Sequence, residues 1–266
     1  MATARDKLSG CGTDTAGLAF GGRTPGVTNA TEHYDGSAWT SGGNMATARY
    51  SLAGAGTQTA GLAFGGRTPS TTNATENYDG SAWTAGGNLG TGRKNLTGAG
   101  TQTAGLAFGG STPSTTNATE HYDGSAWTAG GNMATGRFDL AGAGTQTAGL
   151  GFGGYSNATE HYDGSAWTAG GNMGTTRSSF GGAGTQTAGL AFGGMSPGYT
   201  LLNATEHYDG SAWTAGGNMG TTRRSLAGAG TQTAGLGFGG YDGSNNLNST
   251  EEYAGPGIIS KTVTSS

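Results

Sequence analysis

The sequence has 266 residues, of which 58 are glycine, with 33% hydrophobic residues, 11% charged residues and a formal net charge of −4. Because Lys and Arg number only 12 and the pI is near 5.5, the sequence lacks the basic surface by which proteins bind nucleic acid. No segment reaches the ~18 apolar residues of a transmembrane helix, so we expect no membrane insertion. Cys11 is the single cysteine, which excludes an intrachain disulfide and a thiolate metal cluster. Met1 leads directly into a repeat, and we therefore expect no signal peptide.

One stretch of sequence, residues 56–66, recurs along the whole chain. The Phe-Gly-Gly that closes it occurs six times, beginning at Phe20, Phe64, Phe108, Phe152, Phe192 and Phe238. A period of about 44 residues is typical of a repeat protein with one supersecondary unit per repeat. The glycine-rich composition is close to that of disordered chains, but 9% aromatic residues at fixed offsets favour a folded protein.

Each repeat contains four short strand patterns and no helical one. In the second repeat, the small and apolar residues at 51–56 and 59–64 predict two strands joined by a tight turn. After the double glycine, 73–78 and 81–85 predict a third and a fourth strand around an Asp-Gly hairpin turn. Four antiparallel strands per repeat describe the blade of a propeller. We therefore predict an all-β, six-bladed β-propeller in a single domain of residues 1–266, with blades at approximately 1–44, 45–88, 89–132, 133–172, 173–218 and 219–266.

The last repeat departs from the others. Ile258 stands where the other repeats have tryptophan, and the β-branched residues of segment 259–264 can form a fourth strand. The chain would then start at the first strand of blade 1 and end at the fourth strand of blade 6. We therefore predict that no strand is exchanged between the termini and that blades 1 and 6 close the ring by packing side by side.

A set of residues at fixed spacing in each repeat resembles the kelch motif. In the second repeat these residues are the double glycine, Tyr78, Trp83, and Met45 followed four positions later by Arg49. The resemblance covers essentially the whole chain and implies Gly-Gly at the end of the second strand, Tyr in the third, Trp in the fourth and Arg before the next blade. Kelch propellers include enzymes, scaffolds and adhesins, so the resemblance implies a fold and not a function. The repeats are also similar to repeats in structural proteins of marine bacteriophages, which implies a virion location.

Arginine and glutamate recur at equivalent positions in all six repeats. The arginines are Arg5, Arg49, Arg93, Arg137, Arg177 and Arg223, and the glutamates are Glu32, Glu76, Glu120, Glu160, Glu206 and Glu251. One interpretation is an anion-binding ring at one mouth of the channel. The other, favoured by the faithful repetition of the acid, is a structural ion pair with a carboxylate of the same or the next blade. We therefore assign structural roles to Arg49 and Glu76, and also to the aromatic residues Tyr78 and Trp83.

The sequence offers no constellation for catalysis or metal binding. His33, His121, His161 and His207 share one position on third strands of separate blades, too far apart for one metal with ligand distances of ~2.0–2.1 Å. Nearly every Ser, His and Asp belongs to a repeated set, whereas a catalytic triad needs a unique arrangement. We therefore expect no enzyme activity, no metal and no cofactor.

The repeats differ most in two kinds of segment. The loop after the double glycine accounts for every change in repeat length, and the residue pair after each repeated arginine varies in type. In an up-and-down blade both segments emerge at the same face, whereas the turns at the opposite face hardly change. Either this face is a recognition surface, or its loops merely tolerate change better than tight turns. The aromatic and arginine residues typical of recognition surfaces predict the binding residues Arg23, Tyr50, Lys94, Phe138, Tyr155, Met195, Tyr199, Arg224, Tyr241 and Asp242.

We interpret the chain as a non-catalytic recognition and structural module, such as a tail, fibre or capsid decoration protein of a bacteriophage virion. Its variable face would bind a host surface polysaccharide or a neighbouring virion protein, and multicopy display or homo-oligomerisation would add weak contacts through effective concentration. Two alternatives stay open. One is a purely architectural decoration protein that pairs with its neighbours along an exposed strand edge. The other is a kelch-type intracellular scaffold for protein interactions.

Overall fold

A computed structural model describes residues 1–255 and 261–263. In these residues six four-stranded antiparallel sheets follow one another along the chain, and a two-stranded hairpin lies in a loop of the third. The strands are β1 (Ser9–Gly12), β2 (Gly17–Phe20), β3 (Thr31–Tyr34), β4 (Trp39–Ser41), β5 (Ala53–Gly56), β6 (Gly61–Phe64), β7 (Thr75–Tyr78), β8 (Trp83–Ala85), β9 (Thr97–Gly100), β10 (Gly105–Phe108), β11 (Ser111–Thr112), β12 (Ser114–Thr115), β13 (Thr119–Tyr122), β14 (Trp127–Ala129), β15 (Leu140–Gly144), β16 (Gly149–Gly153), β17 (Thr159–Tyr162), β18 (Trp167–Ala169), β19 (Gly181–Gly184), β20 (Gly189–Phe192), β21 (Thr205–Tyr208), β22 (Trp213–Ala215), β23 (Ala227–Gly230), β24 (Gly235–Phe238), β25 (Thr250–Tyr253) and β26 (Lys261–Val263).

The six sheets are the blades of a closed propeller. Within a blade the strands pair in chain order, so that in blade 2 β5 pairs with β6, β6 with β7 and β7 with β8. The first strands of the blades, β1, β5, β9, β15, β19 and β23, lie next to one another around a central channel. β23 contacts β1 across the join between the last and the first blade. The predicted all-β, six-bladed architecture is confirmed.

The last blade closes with a strand from the tail. β26 pairs antiparallel with β25 and completes the sixth sheet. Each sheet is therefore built from one continuous stretch of chain, and the prediction that no strand is exchanged between the termini is confirmed. Ile258, where the other blades have tryptophan, lies outside the described residues. No helix in residues 1–255 or 261–263 is long and apolar enough to cross a membrane.

Glycine in the inner strands makes room for an aromatic residue of the preceding blade. A methyl group at Gly54 would collide with the tip of the Phe20 ring in blade 1. That ring makes an edge-to-face contact with Trp83 of blade 2, with ring centroids 5.0 Å apart. Trp83 also stacks on Tyr78 at 4.8 Å, and its indole N–H donates to Thr31 Oγ1 of blade 1 at 2.9 Å. Blades 1 to 5 are thus packed on their predecessors through glycine, phenylalanine and tryptophan.

The join between blades 6 and 1 repeats these aromatic contacts. Trp39 stacks on Phe238 at 5.0 Å, and its indole N–H donates to Thr250 Oγ1 at 2.8 Å. At the interface between blades 5 and 6, where the sequence lacks the equivalent tryptophan, Thr205 Oγ1 is buried without a hydrogen-bond partner among the described residues. The sequence departure in blade 6 therefore changes the interface with blade 5 and leaves the join with blade 1 intact.

A buried ion pair holds each blade to the segment that enters it. Arg49 Nη2 lies 2.7 Å from Glu76 Oε1, and Arg49 Nη1 donates to the carbonyl oxygens of Gly65 and Ala74. Burial lowers the pKa of the Arg49 guanidinium, and the Glu76 carboxylate opposes that shift. The other pairs are Arg5–Glu32, Arg93–Glu120, Arg137–Glu160, Arg177–Glu206 and Arg223–Glu251. Because each guanidinium is buried and paired inside its own blade, these arginines do not form an anion-binding ring.

The repeated histidine position forms hydrogen bonds between neighbouring blades. His33 Nε2 lies 2.7 Å from the Tyr78 hydroxyl of the next blade, and the same contact recurs at the other three histidines. Asn77 has this role in blade 2, where its amide donates to the next tyrosine. Across the join, Glu252 Oε1 accepts from the Tyr34 hydroxyl at 2.6 Å. The histidines therefore lie apart from one another, each at its own blade interface.

We expect Glu76→Gln to lower the free energy of unfolding by about 3 kcal/mol, because the buried Arg49 charge would lose its counterion. Urea denaturation measures the loss. Asp14→Asn also removes one carboxylate, but from a half-buried turn, and as the control it should change stability by less than about 0.5 kcal/mol. Equal stabilities of the two variants would contradict a structural role for the ion pair.

A repeated glutamine contacts the preceding blade at five of the six interfaces. Gln58 Nε2 donates to the carbonyl oxygens of Gly17 at 3.1 Å and of Tyr34 at 2.6 Å. Blade 1 has Asp14 at this position, and an ionised carboxylate cannot donate a hydrogen bond. The join between blades 6 and 1 therefore lacks these two hydrogen bonds.

Asp14→Gln should raise the free energy of unfolding by about 1 kcal/mol, because the new amide can donate to the equivalent carbonyl oxygens of Gly235 and Tyr253. Thermal and urea unfolding both measure this gain. The matched control is Asp14→Asn, which removes the same charge with a side chain one methylene shorter. The explanation would be wrong if the glutamine variant were no more stable than the asparagine variant.

Candidate recognition site

The two kinds of variable segment lie side by side at one face of the propeller. We define this loop face as the loops 23–28, 67–72, 111–116, 155–156, 195–202 and 241–247 with the pairs 6–7, 50–51, 94–95, 138–139, 178–179 and 224–225. In blade 1, Asp6 and Arg23 exchange backbone hydrogen bonds of 3.0 Å in both directions. Tyr50 with Arg67 and Arg224 with Tyr241 do the same. The loops of blades 1, 2, 3, 5 and 6 are therefore hydrogen-bonded to the pair of their own blade, whereas in blade 4 Ser156 bridges to Arg177 of the next blade.

Exposed apolar side chains are concentrated on the loop face. Among the described residues, the large hydrophobic side chains that are exposed are Val27 at 41%, Tyr155 at 40% and Tyr199 at 73%. All three lie in loops that follow a double glycine, in blades 1, 4 and 5. At the opposite face, Asp79 Oδ1 accepts hydrogen bonds from the N–H groups of Ser81 and Ala82, so polar side chains there hold the turns. The loop face therefore exposes large apolar side chains to solvent, whereas polar side chains of the opposite face are hydrogen-bonded within their turns.

A groove between blades 6 and 1 contains three of the predicted binding residues. It has a volume of about 310 Å³ and is lined by Arg23, Arg224 and Tyr241 together with Asp6. The Arg23 side chain makes two hydrogen bonds to the Asp6 carboxylate, at 2.8 and 3.2 Å. The Arg224 guanidinium lies over the Tyr241 ring, 5.3 Å from its centroid. The structure thus brings together residues from the two ends of the chain.

The remaining predicted residues lie at separate places on the loop face. Phe138 and Tyr155 stack at 5.1 Å, and the Tyr50 ring lies under the Arg23 guanidinium at 5.7 Å. Tyr199 stands apart at the tip of its loop. Lys94 is half-buried beside Ser111, with which its backbone is hydrogen-bonded. The Asp242 carboxylate accepts from the N–H groups of Ser244 and Asn245, so it holds its own turn.

Met195 is not at the surface, contrary to the sequence-based expectation. Its side chain is only 4% exposed, and the Arg224 guanidinium covers its sulfur at 3.6 Å. Methionine fits under a neighbouring arginine because its thioether is flexible and apolar. Met195 therefore supports Arg224 from below and is not available to a partner in this structure.

A closed ring of backbone hydrogen bonds surrounds the channel mouth at the centre of the loop face. Its members, which we call the mouth ring, are Lys7, Ser51, Asn95, Asp139, Ser179 and Ser225. The N–H of each member donates to the carbonyl oxygen of the member in the preceding blade, at 2.6–2.9 Å. The last of these bonds runs from Lys7 to Ser225 and joins the first blade to the sixth. The mouth ring therefore connects all six blades at one end of the channel.

Every member of the mouth ring has a left-handed backbone, with φ between 53° and 55°. In the described residues 25 glycines have positive φ, and the other residues with positive φ are the six ring members with Tyr155 and Tyr199. A residue with a side chain costs ~1–2 kcal/mol in this conformation. All eight such residues belong to the loop face. The chain thus keeps side chains on this face where the backbone favours glycine.

The mouth ring lies above an apolar floor. The floor consists of Leu8, Leu52, Leu96, Leu140, Phe180 and Leu226, and the cup enclosed by ring and floor has a volume of about 100 Å³. The same floor residues also border a deeper section of the channel, of about 140 Å³. The residues that line the deeper section are apolar, small or hydroxyl-bearing, and none is charged. The charged residues that line the channel therefore lie in the mouth ring.

Sequence reasoning missed the mouth ring as a site. It selected the first residue of four of the six variable pairs, Tyr50, Lys94, Phe138 and Arg224, for its aromatic or basic character and selected no second residue. The signal was present, because the second residue also changes between repeats. What the sequence did not show is that backbone hydrogen bonds place these six residues around one axis.

Comparisons with known proteins agree with the fold. No protein-family model matches the chain, and no curated protein does either. Among solved structures, the chain is similar to that of YjhT, with a TM-score of 0.79 and 11% identical residues over 98% of each chain. At this identity the likeness shows the fold alone. The chain is a six-bladed β-propeller with tryptophan-bearing repeats, a fold that is compatible with a non-catalytic binding module.

We expect Ser51→Gly to raise the free energy of unfolding by about 0.5–1 kcal/mol, because glycine adopts the left-handed backbone without strain. The gain is smaller than the full strain because glycine also favours the unfolded chain. As a control, Thr84→Gly in β8 should lower stability, since Thr84 does not have a positive φ. Urea denaturation separates the two, and a Ser51→Gly variant that is destabilised as much as Thr84→Gly would contradict the strain argument.

Proposed function

We propose that the protein is a non-catalytic recognition module that binds a carbohydrate polymer through its loop face. The observation that carries the proposal is that Val27, Tyr155 and Tyr199, the exposed large apolar side chains of the described residues, all lie in the loops of this face. Their restriction to one face favours that face as the side that meets a partner, because loops on a rigid scaffold commonly carry the binding residues. Tyrosine is suited to sugars because its ring packs on apolar C–H faces while its hydroxyl forms hydrogen bonds.

The contrast between the two faces supports the same proposal. At the opposite face, glutamine and aspartate side chains are occupied by contacts inside the protein, such as those of Gln58 and Asp79. On the loop face, Tyr199 points away from the protein, and the groove between blades 6 and 1 is lined by arginine and tyrosine side chains. The repeats thus differ most on the face that exposes large apolar side chains.

The setting that we propose is the surface of a bacteriophage virion, where the polymer would be a host surface polysaccharide. The resemblance of the repeats to those of phage structural proteins favours this setting. Many copies on one particle would add weak single contacts through their effective concentration. A neighbouring virion protein is the other partner that the experiment must distinguish.

The loop of blade 5 provides the direct test. The full chain is applied to an array of bacterial surface polysaccharides, and the best ligand is then titrated against a variant in which residues 195–202 are replaced by the blade 4 residues Tyr155 and Ser156. Blade 4 shows that the scaffold accommodates the short loop, so folding should be retained. We expect at least a ~10-fold loss of affinity, and a smaller loss for Tyr199→Ala.

Thr103→Ala is the matched control, because Thr103 is exposed in a turn of the opposite face. It should leave binding unchanged. Retention of full affinity by the loop-exchange variant would overturn the recognition role of this loop. Binding to a virion protein in place of every polysaccharide would overturn the carbohydrate assignment and leave the loop face as a protein interface.

A further inference from the structure

The mouth ring is chemically asymmetric although its backbone is nearly six-fold symmetric. Two of its members are charged, Lys7 and Asp139, and the other four carry hydroxyl or amide groups. Lys7 belongs to blade 1 and Asp139 to blade 4. Since the hydrogen-bonded ring closes after six members, these two residues are three steps apart in either direction. They therefore lie opposite each other across the channel axis.

Neither charge is neutralised by direct contact with an opposite charge. The ion pairs of the described residues join the six buried arginines to glutamates, and Arg23 to Asp6, but include neither Lys7 nor Asp139. Both side chains line the cup above the apolar floor. Burial is the main reason that the pKa of Lys7 is lowered and the pKa of Asp139 is raised. Lys7 Nζ lies 5.9 Å from the centroid of the Tyr50 ring, and the Asp139 carboxylate accepts a hydrogen bond from Ser179. Each charge thus has a polar or aromatic neighbour but no opposite charge in contact, and a ligand that carries both charges would supply that partner.

The fold itself does not require these two charges. Ser51, Ser179 and Ser225 adopt the same left-handed backbone and make the same ring hydrogen bonds as Lys7 and Asp139. A lysine has no local side-chain hydrogen bond to favour this conformation, unlike asparagine or aspartate. The backbone of the ring therefore leaves the identity of Lys7 unexplained, and Asn95 in the same conformation shows that the ring does not need the charge of Asp139.

We propose that the mouth ring binds a small zwitterionic group, with its anion at Lys7 and its ammonium at Asp139. The neutral ring members Ser51, Asn95 and Ser225 offer hydrogen bonds around the ligand, and the leucine floor accepts the short apolar part between its two charges. A cup of about 100 Å³ admits a compact group and excludes a bulky one. This inference goes beyond the proposed carbohydrate binding, because it concerns the channel mouth and not the outer loops, and either can fail alone.

A series of linear amino acids tests the proposal and measures the distance between the two charges. Glycine, β-alanine, γ-aminobutyrate, δ-aminovalerate and ε-aminocaproate are titrated into the full chain by calorimetry at low salt. Butylamine and butyrate, which carry one charge each, are the control ligands. We expect one chain length to bind at least ~10-fold more tightly than either control ligand. If no amino acid binds more tightly than the singly charged controls, the proposal is overturned.

Variants that introduce the residue of another blade at the same ring position test binding without disturbing the fold. Lys7→Ser introduces the residue of blades 2, 5 and 6, and Asp139→Asn introduces that of blade 3. Each should weaken binding of the best amino acid at least ~10-fold without changing the unfolding temperature. The matched control is Arg67→Ser, which removes a positive charge of the same face outside the ring and introduces the residue of blade 3, Ser111; it should bind normally. Unchanged binding by Lys7→Ser would contradict the assignment.

Exchange of the two charges distinguishes recognition from a general effect of charge. Lys7→Asp alone should abolish binding, whereas the double variant with Lys7→Asp and Asp139→Lys should restore it, because a zwitterion can bind in the reversed direction. Failure of the double variant to bind, while it remains folded, would overturn the proposed pairing.

The ligand can be a free amino acid or a zwitterionic unit of a polymer. An oligosaccharide that bears amino and carboxylate groups is therefore titrated beside the free amino acids. Tighter binding of the oligosaccharide, reduced by the loop exchange at 195–202, would indicate a polymer; equal or weaker binding that is indifferent to the exchange would indicate a free ligand. Both outcomes require that Lys7→Ser weakens binding.

Discussion

The structure depends on the close approach of neighbouring blades, which only glycine in the inner strands permits. Gly54 leaves the space that the Phe20 ring of the preceding blade fills, and Trp83 covers that ring from the other side. A blade has few large apolar residues, so it cannot offset the conformational entropy of its own chain. Stacked blades share the burial of these residues, as repeat proteins generally do. The unusual glycine content is therefore a packing requirement and not a sign of disorder.

Closure of the ring is achieved by noncovalent contacts between the two ends of the chain. The aromatic contact of Trp39 with Phe238 and the backbone bond from Lys7 to Ser225 repeat what the other interfaces have. The hydrogen bonds of the repeated glutamine are missing there, because Asp14 replaces it. The Asn246 amide donates across the same join to the carbonyl oxygens of Arg23 and Thr24. The join thus has the general architecture of the other interfaces without the glutamine contact, which makes it the place where stability can be improved by restoring the repeat.

Near-symmetry of the scaffold separates structure from recognition. Buried arginine–glutamate pairs, aromatic stacks and hydrogen-bonded turns recur in blade after blade. Their side chains contact other parts of the protein and are therefore not available to a ligand. The loop face and the mouth ring break the symmetry in residue type while the backbone beneath them keeps it. A ligand that meets this face therefore encounters six positions of fixed geometry and individual chemistry, which is how one fold can serve different partners.

The six-bladed fold, the four strands per blade and the continuous last sheet could be predicted from the sequence, because the spacing between Phe-Gly-Gly, Tyr and Trp reports local strand and turn geometry. The variable face could also be located, since copies of one unit act as an internal comparison. The accessibility of the side chains depends on packing between blades and could be read from the structure alone: Met195 lies under Arg224, and the aromatic residues of the loops do not converge on one place. The mouth ring was equally out of reach, because Lys7 and Asp139 are distant in sequence and meet only when backbone hydrogen bonds between blades close the ring around the axis.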